Sequence, residues 1–140
     1  MERKGLAQWN GGLKNGNGTM SSGSGVLAQT QYSFGTRFEN GIGTNPEELI
    51  AAVHAGCFSM ALSAELEKVG LNVVSVNTDS TLAFELTDAG FTITTIHLDV
   101  AAKVPGASAE VFAKIALEAK SGCPISRVLN AEITMDAKLV

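Results

Sequence analysis

From position 49 to position 64 the chain carries no Asp, Glu, Lys or Arg, and this is the feature that any fold must accommodate. Just ahead of it, Asn45-Pro46-Glu47-Glu48 reads as an N-cap, a proline at N1 and acidic residues at N2 and N3. Glu48 stands three residues after Asn45 and can close a capping-box-like pair. Leu49, Val53, Cys57, Met60 and Ala64 then recur at helical spacing, with Ile50, Ala52, Gly56 and Ala61 beside them. Glu67-Lys68-Val69-Gly70 supplies a glycine C′. The pattern predicts a helix of about 22–24 residues, about 35 Å long, apolar nearly all round and therefore buried on most sides. A chain of 140 residues cannot easily wrap such a helix by itself. The expectation is an obligate homodimer with these helices central, each chain covering the other.

Composition narrows the function classes. With 45% apolar and 17% charged residues a packed core is within reach, and the length suits one domain over residues 1–140. Ten basic against fourteen acidic residues leave a net charge of −4, which argues against a nucleic-acid or anionic-membrane binder. The longest uninterrupted apolar stretch, Leu49 to Val53, is far short of the roughly 20 residues a bilayer demands, so no membrane association is expected. Met1-Glu2-Arg3-Lys4-Gly5 runs into polar, Gly-rich sequence rather than an apolar signal core, so the expected compartment is the cytoplasm. Two cysteines there are not a disulfide scaffold. Metal, redox chemistry or packing remain for them.

Ten of the fifteen glycines fall within the first 43 residues, with Asn-Gly at 10–11, 15–16, 17–18 and 40–41. These are turn signals. Lys4–Trp9, Thr19–Ser22 and Val26–Gln29 between them predict a meander of short strands, followed by a loop through Tyr32–Gly43. After the long helix, Asn72–Leu86 and Phe91–Lys103 read as a hairpin turning at Asp88-Ala89-Gly90. Ser108 caps a second helix whose Val111, Phe112, Ile115, Ala116 and Ala119 face a core. Gly122 ends it, Pro124 opens a short turn over Ile125–Leu129, and Glu132–Leu139 alternates as a last half-exposed strand. Meander, helix, hairpin, helix, strand is an α+β order.

The candidates for chemistry are few. Cys57, in mid-helix, is either a small buried hydrophobe or a nucleophile. Cys123, between Gly122 and Pro124 at a helix entrance, lies where free N–H groups and the dipole favour a thiolate, or is an inert turn cysteine. His54 stands one turn before Cys57, which suits a Cys–His hydrolase pair, half a zinc site with Cys123 and His97, or a hydrogen-bonded core histidine. Arg37 sits among aromatics in Phe34-Gly35-Thr36-Arg37-Phe38, either as a site residue or simply solvated. Glu47 complements the positive helix end whatever else it does. Phosphate-binding glycine loops are absent.

Taken together, Thr36-Arg37-Phe38-Glu39, Gly43-Thr44-Asn45-Pro46-Glu47-Glu48-Leu49, His54-Ala55-Gly56-Cys57-Phe58-Ser59-Met60-Ala61-Leu62 and Gly122-Cys123-Pro124-Ile125-Ser126 resemble the OsmC/Ohr family. These are the osmotically inducible and organic hydroperoxide resistance proteins, and the wording is closer to the OsmC branch. The resemblance covers nearly the whole chain. It implies an intertwined α+β homodimer and a thiol-dependent peroxidase with no cofactor or metal. Cys57 would be the peroxidatic nucleophile, Cys123 the resolving one, and Arg37 and Glu47 would complete the site. A guanidinium near sulfur favours the thiolate, and a carboxylate can hold that guanidinium. Attack on the peroxide would leave a sulfenic acid on Cys57, which Cys123 would convert to a disulfide for an external dithiol, of lipoyl type, to reduce. Glu47 and Cys57 are ten residues apart, about 15 Å along one helix, so a shared site implies Glu47 from the partner. Phe34, Phe38, Phe58, Met60 and Ile125 suggest organic hydroperoxides as substrates. The readings set against this are a Cys57/His54 thioesterase-like hydrolase and a non-catalytic dimeric stress protein.

Overall fold

Asn45 opens the long helix as its sequence suggests: the Glu48 amide donates to Asn45 Oδ1 at 2.8 Å. The reciprocal half of the expected capping box is replaced, because Glu48 Oε1 instead accepts from the Thr44 hydroxyl at 2.8 Å. The Asn45 amide group is spent on the Thr36 carbonyl at 2.9 Å. In the computed structural model, which describes residues 1–140, this helix, α2, runs Pro46–Lys68. Its end is a Schellman motif, with Gly70 at φ +79° and amide bonds from Gly70 to Glu67 and from Leu71 to Leu66.

The chain forms two compact units, Met1–Leu49 and Ile50–Val140. The first holds an antiparallel meander, β1 (Gly5–Asn10), β2 (Asn17–Ser22) and β3 (Thr30–Ser33), then a short helix α1 (Phe34–Phe38). Two expectations change here. Val26–Gln29 is not a strand: the hydroxyls of Ser21, Ser22 and Ser24 take up the amides of Gln29, Leu27 and Val26, and Gln29 itself has φ +52°. The strand falls one segment later, at Thr30–Ser33, whose last two residues lie in the predicted loop. Helix α1 also lies inside that predicted loop, started by a reciprocal pair in which the Thr36 amide donates to Ser33 Oγ and the Ser33 amide to Thr36 Oγ1.

In the second unit β4 (Ser75–Thr87) and β5 (Gly90–Lys103) form the expected hairpin, with Gly90 at φ +100° in the turn. Helix α3 (Ala109–Gly122), capped by the Ser108 hydroxyl, and the one-turn α4 (Pro124–Val128) lead to β6 (Glu132–Leu139). That strand pairs parallel with β5, giving the order β4-β5-β6. The core lies on one face of this sheet. Ile96, Leu98, Val100 and Ala102 of β5 supply its floor; Phe58, Leu62 and Leu66 of α2, and Phe112, Ile115, Ala116 and Ala119 of α3, cover it. Each such large apolar side chain contributes about 1.5–3 kcal/mol. Val111, expected in that core, is instead nearly half exposed, because it precedes the buried stripe by one position.

Helix α2 buries one stripe on its own chain: His54, Phe58, Leu62 and Leu66, each four residues apart. Its other faces carry Ala52, Val53, Gly56, Met60 and Ala64, with Val53 53% and Met60 77% exposed. By length and composition alone α2 is apolar enough to cross a bilayer, which a count of uninterrupted apolar residues does not reveal.

Candidate active site

The two cysteines, 66 positions apart, meet inside the second unit. Cys57 comes from the middle of α2. Cys123 is the residue that ends α3 and starts α4: its amide donates to the Ala119 carbonyl at 2.8 Å, and its carbonyl accepts from the Arg127 amide at 3.1 Å. With Pro124 fixing φ at the first position of α4, the Cys123 backbone has little freedom. Its sulfur is fully buried, Cys57 is partly exposed, and both are free thiols. The sulfurs lie 3.2 Å apart, within hydrogen-bonding distance. A movement of about 1 Å would bring them to disulfide length.

Their surroundings differ. Burial pushes the Cys57 thiol up, and the neighbouring Cys123 adds to this against a smaller opposing effect of the Ile125 amide. Burial acts the same way on Cys123 but is outweighed there. The Ser126 amide, Cys57, the Ser126 hydroxyl and the Ile125 amide together hold the Cys123 thiol below its ordinary value. Within one chain, therefore, the anion is favoured on Cys123.

His54 does not serve Cys57. Its side chain is fully buried, its Nε2 sits 2.8 Å from Ser126 Oγ, and burial lowers its pKa below 6.5. The hydrolase pairing thus lacks its Cys–His hydrogen bond. Nor does His97 join the thiols. It projects from the outer face of the β4-β5-β6 sheet, bonded to Thr134 and near Asp99 and Asp136, and no group of three or more metal-ligating side chains forms anywhere.

Arg37 and Glu47 meet within the first unit. Arg37 Nη2 and Nε lie 2.7 and 3.1 Å from Glu47 Oε1, and Nε is 3.2 Å from Oε2. Glu47 is nearly buried, while the Arg37 side chain is 35% exposed and stacks over the Phe38 ring at 5.1 Å. α1 presents the arginine and the first turn of α2 the carboxylate. Beside Arg37 is an aromatic cavity of about 230 Å³ lined by Trp9, Leu13, Tyr32, Ser33, Phe34 and Phe38. Trp9 and Tyr32 flank Gly18 in register across β2, their rings 5.3 Å apart. A Cβ on Gly18 would stand 2.7 Å from each ring.

Of the apolar residues expected to surround the chemistry, Phe34 and Phe38 line this cavity. Phe58 belongs instead to the core of the second unit. Met60 is exposed, and Ile125 packs against that core. Sequence reasoning missed Trp9, Leu13 and Tyr32, because the third strand was expected in the wrong place and the cross-strand pairing could not be drawn. It also gave Ser126 no role, although its place three residues past Cys123 at a helix entrance was a usable signal.

The fold is that of solved OsmC and Ohr proteins. The organic hydroperoxide resistance protein OhrB of Bacillus subtilis superposes with a TM-score of 0.70 at 24% identity, over 96% of this chain and 98% of that one. An organic hydroperoxide resistance protein from Elizabethkingia anophelis gives 0.76 at 22%, over 100% and 99%. In sequence, the Peroxiredoxin OsmC of Escherichia coli strain K12 is 51% identical over 139 residues, 99% of this chain and 97% of that protein. A protein-family profile described as OsmC-like protein matches residues 38–138. The chain belongs to the OsmC family.

Proposed function

We propose that this protein is a cytoplasmic thiol peroxidase that reduces organic hydroperoxides and works as a homodimer. The observation that carries the reading is the pair of free thiols 3.2 Å apart, one cysteine buried and the other partly exposed. The name of the 51% identical relative, Peroxiredoxin OsmC, supports the same reaction class. Cys57 is the peroxidatic residue: its thiolate attacks the peroxide, the alcohol departs, and Cys57 becomes a sulfenic acid. Cys123 resolves it to a disulfide, releasing water. An external dithiol, of the lipoyl type, restores both thiols.

Cys57 needs an outside cation for this role, since its own chain pushes its pKa up. Arg37, held by Glu47, is suited to supply it. Glu47 precedes Cys57 by ten residues on α2, about 15 Å of helix, so each active site takes the Arg37–Glu47 pair from the partner subunit. The aromatic cavity beside Arg37 then receives the organic part of the hydroperoxide by area burial, which hydrogen peroxide cannot exploit.

Two experiments test this. One equivalent of cumene hydroperoxide should remove both thiols and about 2 Da from the wild type, and leave Cys123→Ser with a trappable sulfenic acid. Survival of both thiols would refute the peroxidase reading. Mixing inactive Cys57→Ser and Arg37→Ala chains should restore activity, because one site of the mixed dimer then holds both residues. A site built from one chain alone gives no recovery on mixing.

A further inference from the structure

His54 is the one fully buried titratable side chain that the proposed reaction leaves unused. A buried histidine costs free energy unless it is hydrogen-bonded, and this one makes a single bond, at 2.8 Å, to a hydroxyl 72 positions away. That bond ties the face of α2 one turn before Cys57 to the entrance of α4. Ser126 occupies the third position of α4, whose N-cap is Cys123. Cys123 makes no side-chain cap hydrogen bond, but the Ser126 amide and hydroxyl are near enough to its sulfur to hold its pKa down. The thiol pair, the hydroxyl and the imidazole therefore lie in one row, with a hydrogen bond at each end.

The direction of the row follows from the histidine. A neutral imidazole has one N–H and one bare nitrogen. Nδ1 is buried with no partner, and an unpaired buried acceptor is tolerated better than an unpaired buried N–H. The hydrogen therefore belongs on Nε2, which donates to Ser126 Oγ. The serine hydrogen, displaced from the imidazole, is then free to point to the Cys123 sulfur.

We propose that His54 and Ser126 are positioning residues for Cys123, poising it as the thiolate that closes the disulfide. This rests on the two-cysteine reading above. In the step they serve, the Cys123 thiolate attacks the Cys57 sulfenic sulfur; the S–S bond forms and the S–O bond breaks. Cys123 sulfur is oxidised, Cys57 sulfur is reduced, and the departing hydroxide takes up the proton that Cys123 gave up. The balance is one sulfenic acid and one thiol giving one disulfide and one water. The first step, attack on the peroxide, does not use this pair. The titratable groups of the row itself are Cys57, Cys123 and His54.

The test separates the two steps. Wild type, Ser126→Ala, Ser126→Thr, His54→Gln and His54→Leu are mixed with cumene hydroperoxide, and sulfenic acid and disulfide are followed by quenched intact-mass analysis. Loss of a hydroxyl bonded to an anion predicts closure slowed about tenfold in Ser126→Ala, with sulfenic acid formed at the wild-type rate. Ser126→Thr should restore closure, and His54→Leu should slow it more than His54→Gln. In a second arm, the ultraviolet absorbance of the Cys123 thiolate, titrated in the Cys57→Ser background, should shift upward by about one pH unit when Ser126→Ala is added. Unchanged closure and titration, or failure of threonine to rescue, would overturn the proposal. Absence of sulfenic acid in the wild type would instead sink the peroxidase reading, and the titration arm would still decide the role of Ser126.

Discussion

The Arg37–Glu47 pair offers a measurement whose size can be worked out from its geometry. Three N–H···O contacts at 2.7, 3.1 and 3.2 Å join the two side chains, an arrangement close to a fork. Glu47 is nearly out of solvent, but Arg37 is 35% exposed, so the pair lies between two regimes. Exposed pairs contribute about 0–1 kcal/mol, and breaking a buried one costs about 3–5 kcal/mol. Weighting for the exposed arginine gives a coupling of about 2 kcal/mol. Single substitutions mix this with other losses. Glu47→Ala also removes an acid from the first turn of α2, and Arg37→Ala removes the stacking on Phe38. A double-mutant cycle cancels both, since each recurs in two corners. Urea unfolding of wild type, Arg37→Ala, Glu47→Ala and the double variant, at one fixed protein concentration, gives the number. The coupling should survive a rise to about 0.5 M salt largely intact, because a half-buried contact pair is weakly screened. A coupling below about 0.5 kcal/mol would refute the reasoning.

Four further outcomes are expected. Phe58→Ala, in the core of the second unit, should destabilise by about 3–5 kcal/mol in urea unfolding. Gly18→Ala puts a methyl 2.6 Å from the Gln8 carbonyl oxygen and 2.7 Å from Trp9 and Tyr32, so it should cost about 1–3 kcal/mol and shift the tryptophan fluorescence. Burial holds His54 below 6.5 in the folded chain, so on acidification the unfolded chain takes up that proton first. The urea midpoint should hold above that pH and decline below it, less steeply in His54→Gln. Gly56→Leu should leave the far-ultraviolet circular dichroism intact while shifting the sedimenting species from a dimer towards the 14.5 kDa chain.

Much of this fold was legible because its signals are local. The α2 start, the Gly70 stop, the hairpin turn at Gly90 and the alternating last strand each follow from a few neighbouring residues with known backbone preferences. What escaped depends on distant partners or on competition for amides. Val26–Gln29 has strand-like residues, but Ser21 and Ser22 at the end of β2 and Ser24 in the turn take three of its N–H groups. Helix α1 opens on a Ser33–Thr36 pair, where a glutamate or glutamine at the second place would have marked it. Parallel pairing of β6 with β5 is a choice among sheet edges that no short segment encodes. The site divides in the same way. Cys57, Cys123, Arg37 and Glu47 each had a structural reading and came forward as a set only through the resemblance to the OsmC/Ohr family, whereas the cavity wall of Trp9 and Tyr32 depended on cross-strand register. The His54–Ser126 bond spans 72 positions, and only the packed structure links them.

Helix α2 carries the proposed tie between the site and the assembly. Four-residue spacing gives it a stripe from His54 to Leu66 that its own chain covers, and leaves Ala52, Gly56, Met60 and Ala64, also four apart, on another face. Gly56 on that face is informative. A glycine in mid-helix costs about 1 kcal/mol relative to alanine, and here a Cβ would meet nothing within 4 Å. The chain by itself supplies no reason to omit the side chain. A second helix lying against the small residues does, since it needs the backbone to come close. Cys57 is the next residue along, at the edge between the covered stripe and this open face. In the site proposed above, a partner chain seated there would both bury the apolar surface that the length of the protein cannot cover and bring its Arg37–Glu47 pair to a thiol whose own chain raises its pKa. The same contact would then account for the charge-free helix, the unneeded glycine and the missing cation.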